Sequence, residues 1–246
     1  MKAHGVLVVV AALVGAAACA DAPAGGEGTE AASRELLAAS SAAATEAAPQ
    51  TLDISELGMN RGDGDAPVRI IEFSDYGCGY CRKFHQETWP VLLRDFVDAG
   101  KVEWKFLPYV TGMFGNTTAA TTAAECVLEQ GDTLFHVMNS LIWDHQSEWK
   151  RSADPASVLR GLAHDTGAEL LRYDSCLSQG RRTQRVEGAN ALARQIGVRA
   201  TPTFFVVGYP PIQGALPTDA FVQIITMVYN ESAKPGGAAL RPPPGP

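Results

Sequence analysis

The segment Cys78-Gly79-Tyr80-Cys81 puts two thiols three positions apart, close enough to join as a disulfide or to share a metal ion. Which chemistry follows depends on what positions them. Val68-Arg69-Ile70-Ile71-Glu72-Phe73 is rich in β-branched residues and bounded by Pro67 and Ser74-Asp75, which predicts a buried strand. A helix-like run follows the cysteines, Arg82 to Val97, with Pro90 as an expected kink. The pair therefore falls where a strand ends and a helix begins. The unpaired N–H groups and dipole of a helix start favour a thiolate, which lowers the pKa of Cys78. Cys78 is expected at the exposed start as the attacking thiolate. Cys81, one turn on and facing inward, closes the disulfide. Two rival readings remain open from these residues alone. Cys78, Cys81 and His85 on one helical face could bind copper, although His85 reads more simply as a solvated helix residue. A structural zinc site would need a second cysteine pair, and the sequence has none. A purely structural local disulfide is the other rival.

The second informative feature lies far downstream. Ala200-Thr201-Pro202-Thr203-Phe204-Phe205-Val206-Val207-Gly208 reads as a strand led by Thr-Pro and closed by a turn at Gly208-Tyr209-Pro210-Pro211. Strand, Cys78-x-x-Cys81 and helix, with Thr201-Pro202 ahead of a hairpin, resemble the thioredoxin superfamily. The run Asp65-Ala66-Pro67-Val68 through Phe73-Ser74-Asp75-Tyr76 to the cysteines resembles its DsbA-like branch of exported thiol–disulfide oxidoreductases. The resemblance covers about residues 55 to 231. It implies an α/β thioredoxin-like fold with a helical insertion between the CxxC helix and the cis-Pro strand. It also implies that Pro202 is cis and packs over the disulfide, and that the backbone beside Thr201 pairs with an extended substrate.

The 120 residues between Cys81 and Pro202 far exceed what a bare thioredoxin core needs. The excess, about 112–180, reads as helices: Asn116 capping Thr117 to Gln130, then Asp132–His145, Asp154–Thr166 and Ala168–Ser178. A longer helix, Arg181 to Ile196, leads back to the core, with Val186, Ala189, Ala193 and Ile196 on one face. Glu72 is an acid on an otherwise apolar strand, six residues before Cys78. A buried acid there could relay the proton that Cys81 must lose, and the resemblance carries that role to it. Lys105, in the strand Val102-Glu103-Trp104-Lys105-Phe106-Leu107, is its candidate partner. Gly79-Tyr80 also resembles the intervening pair of some exported isomerases. Tyr80 and Phe114 are candidates for an apolar groove that takes unfolded chains, whereas Phe84, Trp89, Trp104, Trp143 and Trp149 are expected in the core. Cys126 and Cys176, both in the insertion, are expected to pair as a structural disulfide, which would stabilise by roughly 4 kcal/mol.

The remaining sequence frames these residues. Of 246 residues, 19% are charged and 46% hydrophobic, with a net charge of −7 from 20 Lys+Arg and 27 Asp+Glu. That excludes a disordered acidic chain, a membrane bundle and the basic footprint of a nucleic-acid binder. The first aromatic residue is Phe73 and the last Tyr229, so one folded domain is expected over 51–232. Lys2 and His4 precede the apolar run Val6 to Val14 and the small residues up to Ala20, which reads as a signal peptide over 1–20. Ala16-Ala17-Ala18-Cys19 also resembles a lipobox, in which the leader is 1–18 and Cys19 is lipidated. Residues 21–50 read as an Ala/Gly/Ser-rich tether and 233–246 as a Pro-rich disordered tail. These features predict an enzyme exported from a bacterial cytoplasm to the periplasm or the outer face of the membrane, with a lipid anchor on the second reading. It would act as a monomer without metal or cofactor, on reduced or unfolded proteins, and depend on a redox partner. The rival functions are an isomerase or reductase, and a tethered copper-binding or thiol-maintenance protein.

Overall fold

The computed structural model describes residues 54–232, together with the backbone of β1 (Val6–Leu7) paired antiparallel with β2 (Thr51–Leu52). Cys19, the tether over 21–50 and the tail over 233–246 lie outside the described residues, as does most of the leader. The core sheet has five strands: β3 (Met59–Arg61), β4 (Val68–Ser74), β5 (Val102–Pro108), β6 (Thr203–Val206) and β7 (Ile212–Gln213). Their spatial order is β3-β5-β4-β6-β7. β4 and β5 run parallel and every other pair antiparallel. β4 is thus central and buried on both faces, which is why its sequence reads as a near-continuous apolar run.

Side-chain alternation assigns each face. Val68, Ile70, Trp104, Phe204 and Val206 pack against Phe84, Leu92 and Phe96 of the first helix and against Phe221 and Ile225 of the last. Ile71, Phe73 and Leu107 turn the other way, onto Ala189, Leu192 and Ala193. Helix α1 begins at Gly79–Lys83 and continues through Phe84–Thr88, Trp89–Leu92 and Leu93–Val97, its second and fourth stretches being π-helical. Pro90, which has no N–H to donate, sits between those two stretches. α2 (Thr117–Leu128), α3 (Asp132–Asp144), α4 (Gln146–Arg151), α5 (Pro155–Asp165) and α6 (Leu170–Gln179) form the insertion between β5 and the return helix α7 (Thr183–Gln195). α8 (Thr218–Ser232) closes the domain. Among the described residues no helix is long and apolar enough to cross a membrane.

The insertion has its own apolar core, which includes Tyr76, Cys78, Cys81, Trp143 and Trp149 and so extends directly under the cysteine motif. Cys126 on α2 and Cys176 on α6 are joined as a disulfide, with Cα atoms 5.7 Å apart. Trp104, Trp143, Trp149 and Phe84 are buried as expected, and Trp89 packs on the sheet-face core. Asn116 departs from its expected part. It occupies the N-cap position in the left-handed region at φ 59°, but its side chain makes no cap. Its Nδ2 instead donates to the carbonyls of Trp149, Lys150 and Ser152 at the end of α4, at 3.0, 3.3 and 3.0 Å. Three carbonyls at and just past a helix end offer that amide more acceptors than a single cap would.

Candidate active site

Between the end of β4 and the first turn of α1 the backbone is held by a network rather than by chain connectivity alone. The Asp75 carboxylate is buried and accepts from Gly77 N at 2.8 Å and from the Thr117 hydroxyl through Oδ1. Oδ2 accepts from the N–H and hydroxyl of Thr111, at 2.8 and 2.7 Å. The Asp75 carbonyl accepts from Cys78 N at 2.9 Å. From the insertion, Gln146 Nε2 donates to the carbonyls of Tyr76 and Cys78 at 2.6 and 3.0 Å, and Lys150 Nζ donates to that of Gly77. Gly77 must be glycine on steric grounds, because a Cβ there would lie 2.3 Å from Phe114 Cβ.

Cys78 takes the N-cap position of α1, with φ −79° and ψ 126°, so the first helical N–H groups face its sulfur. Its pKa is lowered from 9.0 to about 6, first by the Cys81 side chain and then by the backbone N–H of Cys81, the Thr201 side chain and the backbone N–H of Tyr80, against the opposing effect of burial. Burial pushes the Cys81 thiol well above 9.0, assisted by the neighbouring Cys78, while hydrogen bonding to the Ser74 side chain opposes it. Both thiols are free. The expected exposure of Cys78 needs correction: only 4% of the residue is accessible. The segment that carries Thr201, leading into β6, returns over it, and Cys78 Sγ donates to the Thr201 carbonyl at 3.4 Å. The Thr201–Pro202 peptide bond is cis. Gly79 is exposed, and Tyr80, 70% accessible, stands at the surface beside the pair.

Glu72 is fully buried, and its partners differ from the expected one. Oε1 accepts from the Ser74 hydroxyl and lies 2.7 Å from His85 Nε2, while Oε2 accepts from Trp104 Nε1 at 2.9 Å. Lys105 is opposite Ile71 in the β4–β5 register, whereas Glu72 is opposite Phe106. Lys105 therefore projects from the other sheet face, where its Nζ donates to the Leu57 carbonyl at 2.8 Å. His85 also reverses its expected place: it is buried, bonded to Glu72 and stacked on Trp143 with ring centroids 4.6 Å apart. Its four-residue spacing from Cys81, one helical turn on the inward face, carried that signal. Among the described residues no group of three His, Cys, Asp or Glu side chains suits a metal ion. Ser74, Asp75, Gln146 and Lys150 were not anticipated. Asp75 beside the motif offered a cue, but Gln146, 68 residues from Cys78, offered none.

A cysteine pair at the start of a helix, a cis-proline strand facing it and helices inserted between the two define a thioredoxin-like protein of the DsbA type. The chain belongs to the thioredoxin family whose model it matches over residues 55–226. It is 29% identical over 151 residues to disulfide bond formation protein D of Bacillus subtilis, covering 59% of this chain and 65% of that relative. It is also 33% identical over 148 residues to Na(+)/H(+) antiporter NhaA 3 of Salinispora tropica, covering 60% of this chain and 21% of the antiporter. The chain thus spans less than two thirds of the length of either curated relative. The crystal structure of oxidised BdbD from Bacillus subtilis matches the fold with a TM-score of 0.64 at 24% identity, covering 70% of this chain and 93% of that one.

Proposed function

We propose that the chain is an exported thiol–disulfide oxidoreductase that forms or exchanges disulfides in extracytoplasmic proteins through Cys78 and Cys81. The observation that carries this reading is the Cys78 sulfur at a helix N-cap, 3.4 Å from the carbonyl beside cis-Pro202, with its pKa lowered to about 6. In the oxidised enzyme a substrate thiolate attacks Cys78 Sγ, the Cys78–Cys81 bond breaks, and Cys81 leaves with the electron pair. A second substrate thiolate attacks the substrate sulfur of the mixed disulfide and releases Cys78 as its stabilised thiolate. Two electrons have then passed from substrate to enzyme, and a partner oxidant must remove them. Cys81, which is buried, is the sulfur that must gain or lose a proton. Glu72 would exchange it through Ser74; the hydrogen bonds of Ser74 to the carboxylate and to the Cys81 thiol support this. Thr201, Pro202, Gly79 and Tyr80 frame the accessible side, where a reduced or unfolded chain would lie. Residues 1–20 serve export on this reading; in the alternative with a leader of 1–18, Cys19 would be lipidated and anchor the mature N-terminus.

Stabilising the Cys78 thiolate stabilises the reduced form and makes the disulfide oxidising. The test is the equilibrium reduction potential of Cys78–Cys81 against glutathione. A value near about −120 mV is expected for an enzyme that introduces disulfides, and one near about −270 mV would instead mark a reductase.

A further inference from the structure

Three successive carbonyls ahead of α1, those of Tyr76, Gly77 and Cys78, turn onto α4 of the insertion, and two side chains one turn apart on that helix meet them. Gln146 Nε2 carries two hydrogens and directs them at the carbonyls of Tyr76 and Cys78, at 2.6 and 3.0 Å, so a single buried amide spans the backbone across Gly77. Lys150 takes the carbonyl between them. The Cys78 carbonyl is also the first acceptor of α1, receiving Arg82 N at 3.1 Å. The grip is fixed at its own end as well. Trp149 Nε1 ties α4 back to the Ile142 carbonyl of α3 at 2.8 Å, and Asn116 holds the carbonyls where α4 stops.

Cys78 needs such a hold because a thiol is a poor helix cap. The residues favoured at an N-cap carry an oxygen acceptor, whereas sulfur accepts weakly until it is ionised. When Cys78 is protonated, or bonded to a second sulfur, its side chain does little to keep the backbone at φ −79° and ψ 126°. If residue 78 relaxed into the helix, its sulfur would leave the N–H groups of Tyr80 and Cys81 and the carbonyl of Thr201.

We infer that Gln146 is a positioning residue for the thiol–disulfide reaction: by gripping the Tyr76 and Cys78 carbonyls together it holds Cys78 in the N-cap conformation in every redox state, so that the sulfur stays against the first-turn N–H groups and the Thr201 carbonyl. The inference deepens the oxidoreductase reading and rests on it. It gives the insertion a part in the chemistry at Cys78, through a side chain that touches the backbone of the reacting residue and not its sulfur. Loss of the grip withdraws stabilisation from the Cys78 thiolate, and hence from the reduced enzyme relative to the disulfide.

The experiment compares full-length wild type with Gln146→Met, which keeps the length of the side chain and removes both donors. Gln146→Ala, small enough to admit water to the two carbonyls, keeps the test available if Gln146→Met does not fold. Neither substitution changes a charge, so Asp75, Arg82 and Lys150 around the loop keep theirs. Two quantities are read: the midpoint of thiolate absorbance in the reduced protein, and the equilibrium with glutathione. In the latter, the Cys78 thiolate attacks glutathione disulfide and releases one glutathione thiolate. Cys81 then loses its proton, attacks Cys78 Sγ and releases the second, so two electrons pass from the enzyme dithiol to glutathione disulfide. Both variants are expected to bind the Cys78 proton ~3–10-fold more tightly, the worth of one ordinary hydrogen bond. At about pH 8, where Cys78 is ionised, the equilibrium constant for oxidation should rise by the same factor. A residue that only satisfied buried carbonyls would lower the denaturant midpoint on removal and move neither quantity. Variants that titrate near about 6 with the wild-type equilibrium would overturn the positioning role and leave the oxidoreductase reading intact. If wild type forms no Cys78–Cys81 disulfide with glutathione disulfide, that reading itself fails, and the role of Gln146 with it.

Discussion

Cys78 and Cys81 are the same side chain three residues apart, yet their surroundings push their acidities in opposite directions. Cys78 receives hydrogen bonds at a helix start, and Cys81 is buried with little to stabilise its charge. Ultraviolet absorbance of the thiolate should therefore titrate in the reduced protein with a midpoint near about 6, and Cys78→Ala should abolish that transition. The same shift has a stability consequence whose sign is fixed. Between pH 6 and 9.0 the folded reduced protein has lost a proton that the unfolded chain keeps. On this account its denaturant midpoint rises with pH across that window, and the contribution is lost as pH falls through 6. The oxidised protein, with no thiol to titrate, should not show this rise. The lowered pKa of Cys78 was legible from strand, CxxC and helix alone. The burial of Cys78 was not, because the group lying against it is 123 positions away in sequence.

At the scale of elements, what positions the pair is a loop braced from the insertion. The carboxylate of Asp75, the amide of Gln146 and the ammonium of Lys150 together hold the backbone from Asp75 to Cys78. Phe114 fills the space beside Gly77, and Lys150 lies over its ring at 4.6 Å. Gly77→Ala should therefore force the Phe114 loop away, costing ~1–3 kcal/mol in a denaturant titration. It should also raise the midpoint of the Cys78 thiolate, since the helix start moves with the loop. Helices with a clear apolar period were found in the sequence to within a few residues of their ends, Thr183–Gln195 for the expected Arg181 to Ile196 among them. Contacts that cross elements were not. Asn116 satisfies the pattern for a cap at α2 and spends its amide on α4 instead, and Lys105 falls on the wrong sheet face for Glu72 once the register is fixed. Spacing along one chain carries the faces of an element but not the neighbour each face meets.

At the scale of the whole molecule the described residues form three apolar cores, one on each face of the five-stranded sheet and one inside the insertion, the last extending under the cysteine motif. The Cys126–Cys176 bridge lies wholly in that last core, its ends separated by 50 in sequence. Replacing both cysteines by alanine should lower the unfolding free energy by roughly 4 kcal/mol, from the loop entropy returned to the unfolded chain. The Cys78 titration should stay near about 6, because neither residue contributes to it. A bridge in this position was legible from cysteine count and placement, whereas the sharing of one apolar core by both cysteine pairs required the fold. The distance in sequence between Cys78 and Thr201 also has a bearing on synthesis. A chain that emerges from its N-terminus exposes Cys78, Cys81, Cys126 and Cys176 before Thr201 exists to meet the first of them. Until that segment arrives, Cys78 lacks the Thr201 side-chain hydrogen bond, one of the contacts that lower its pKa. The nascent protein therefore carries a less acidic Cys78 while Cys78, Cys81, Cys126 and Cys176 are choosing partners.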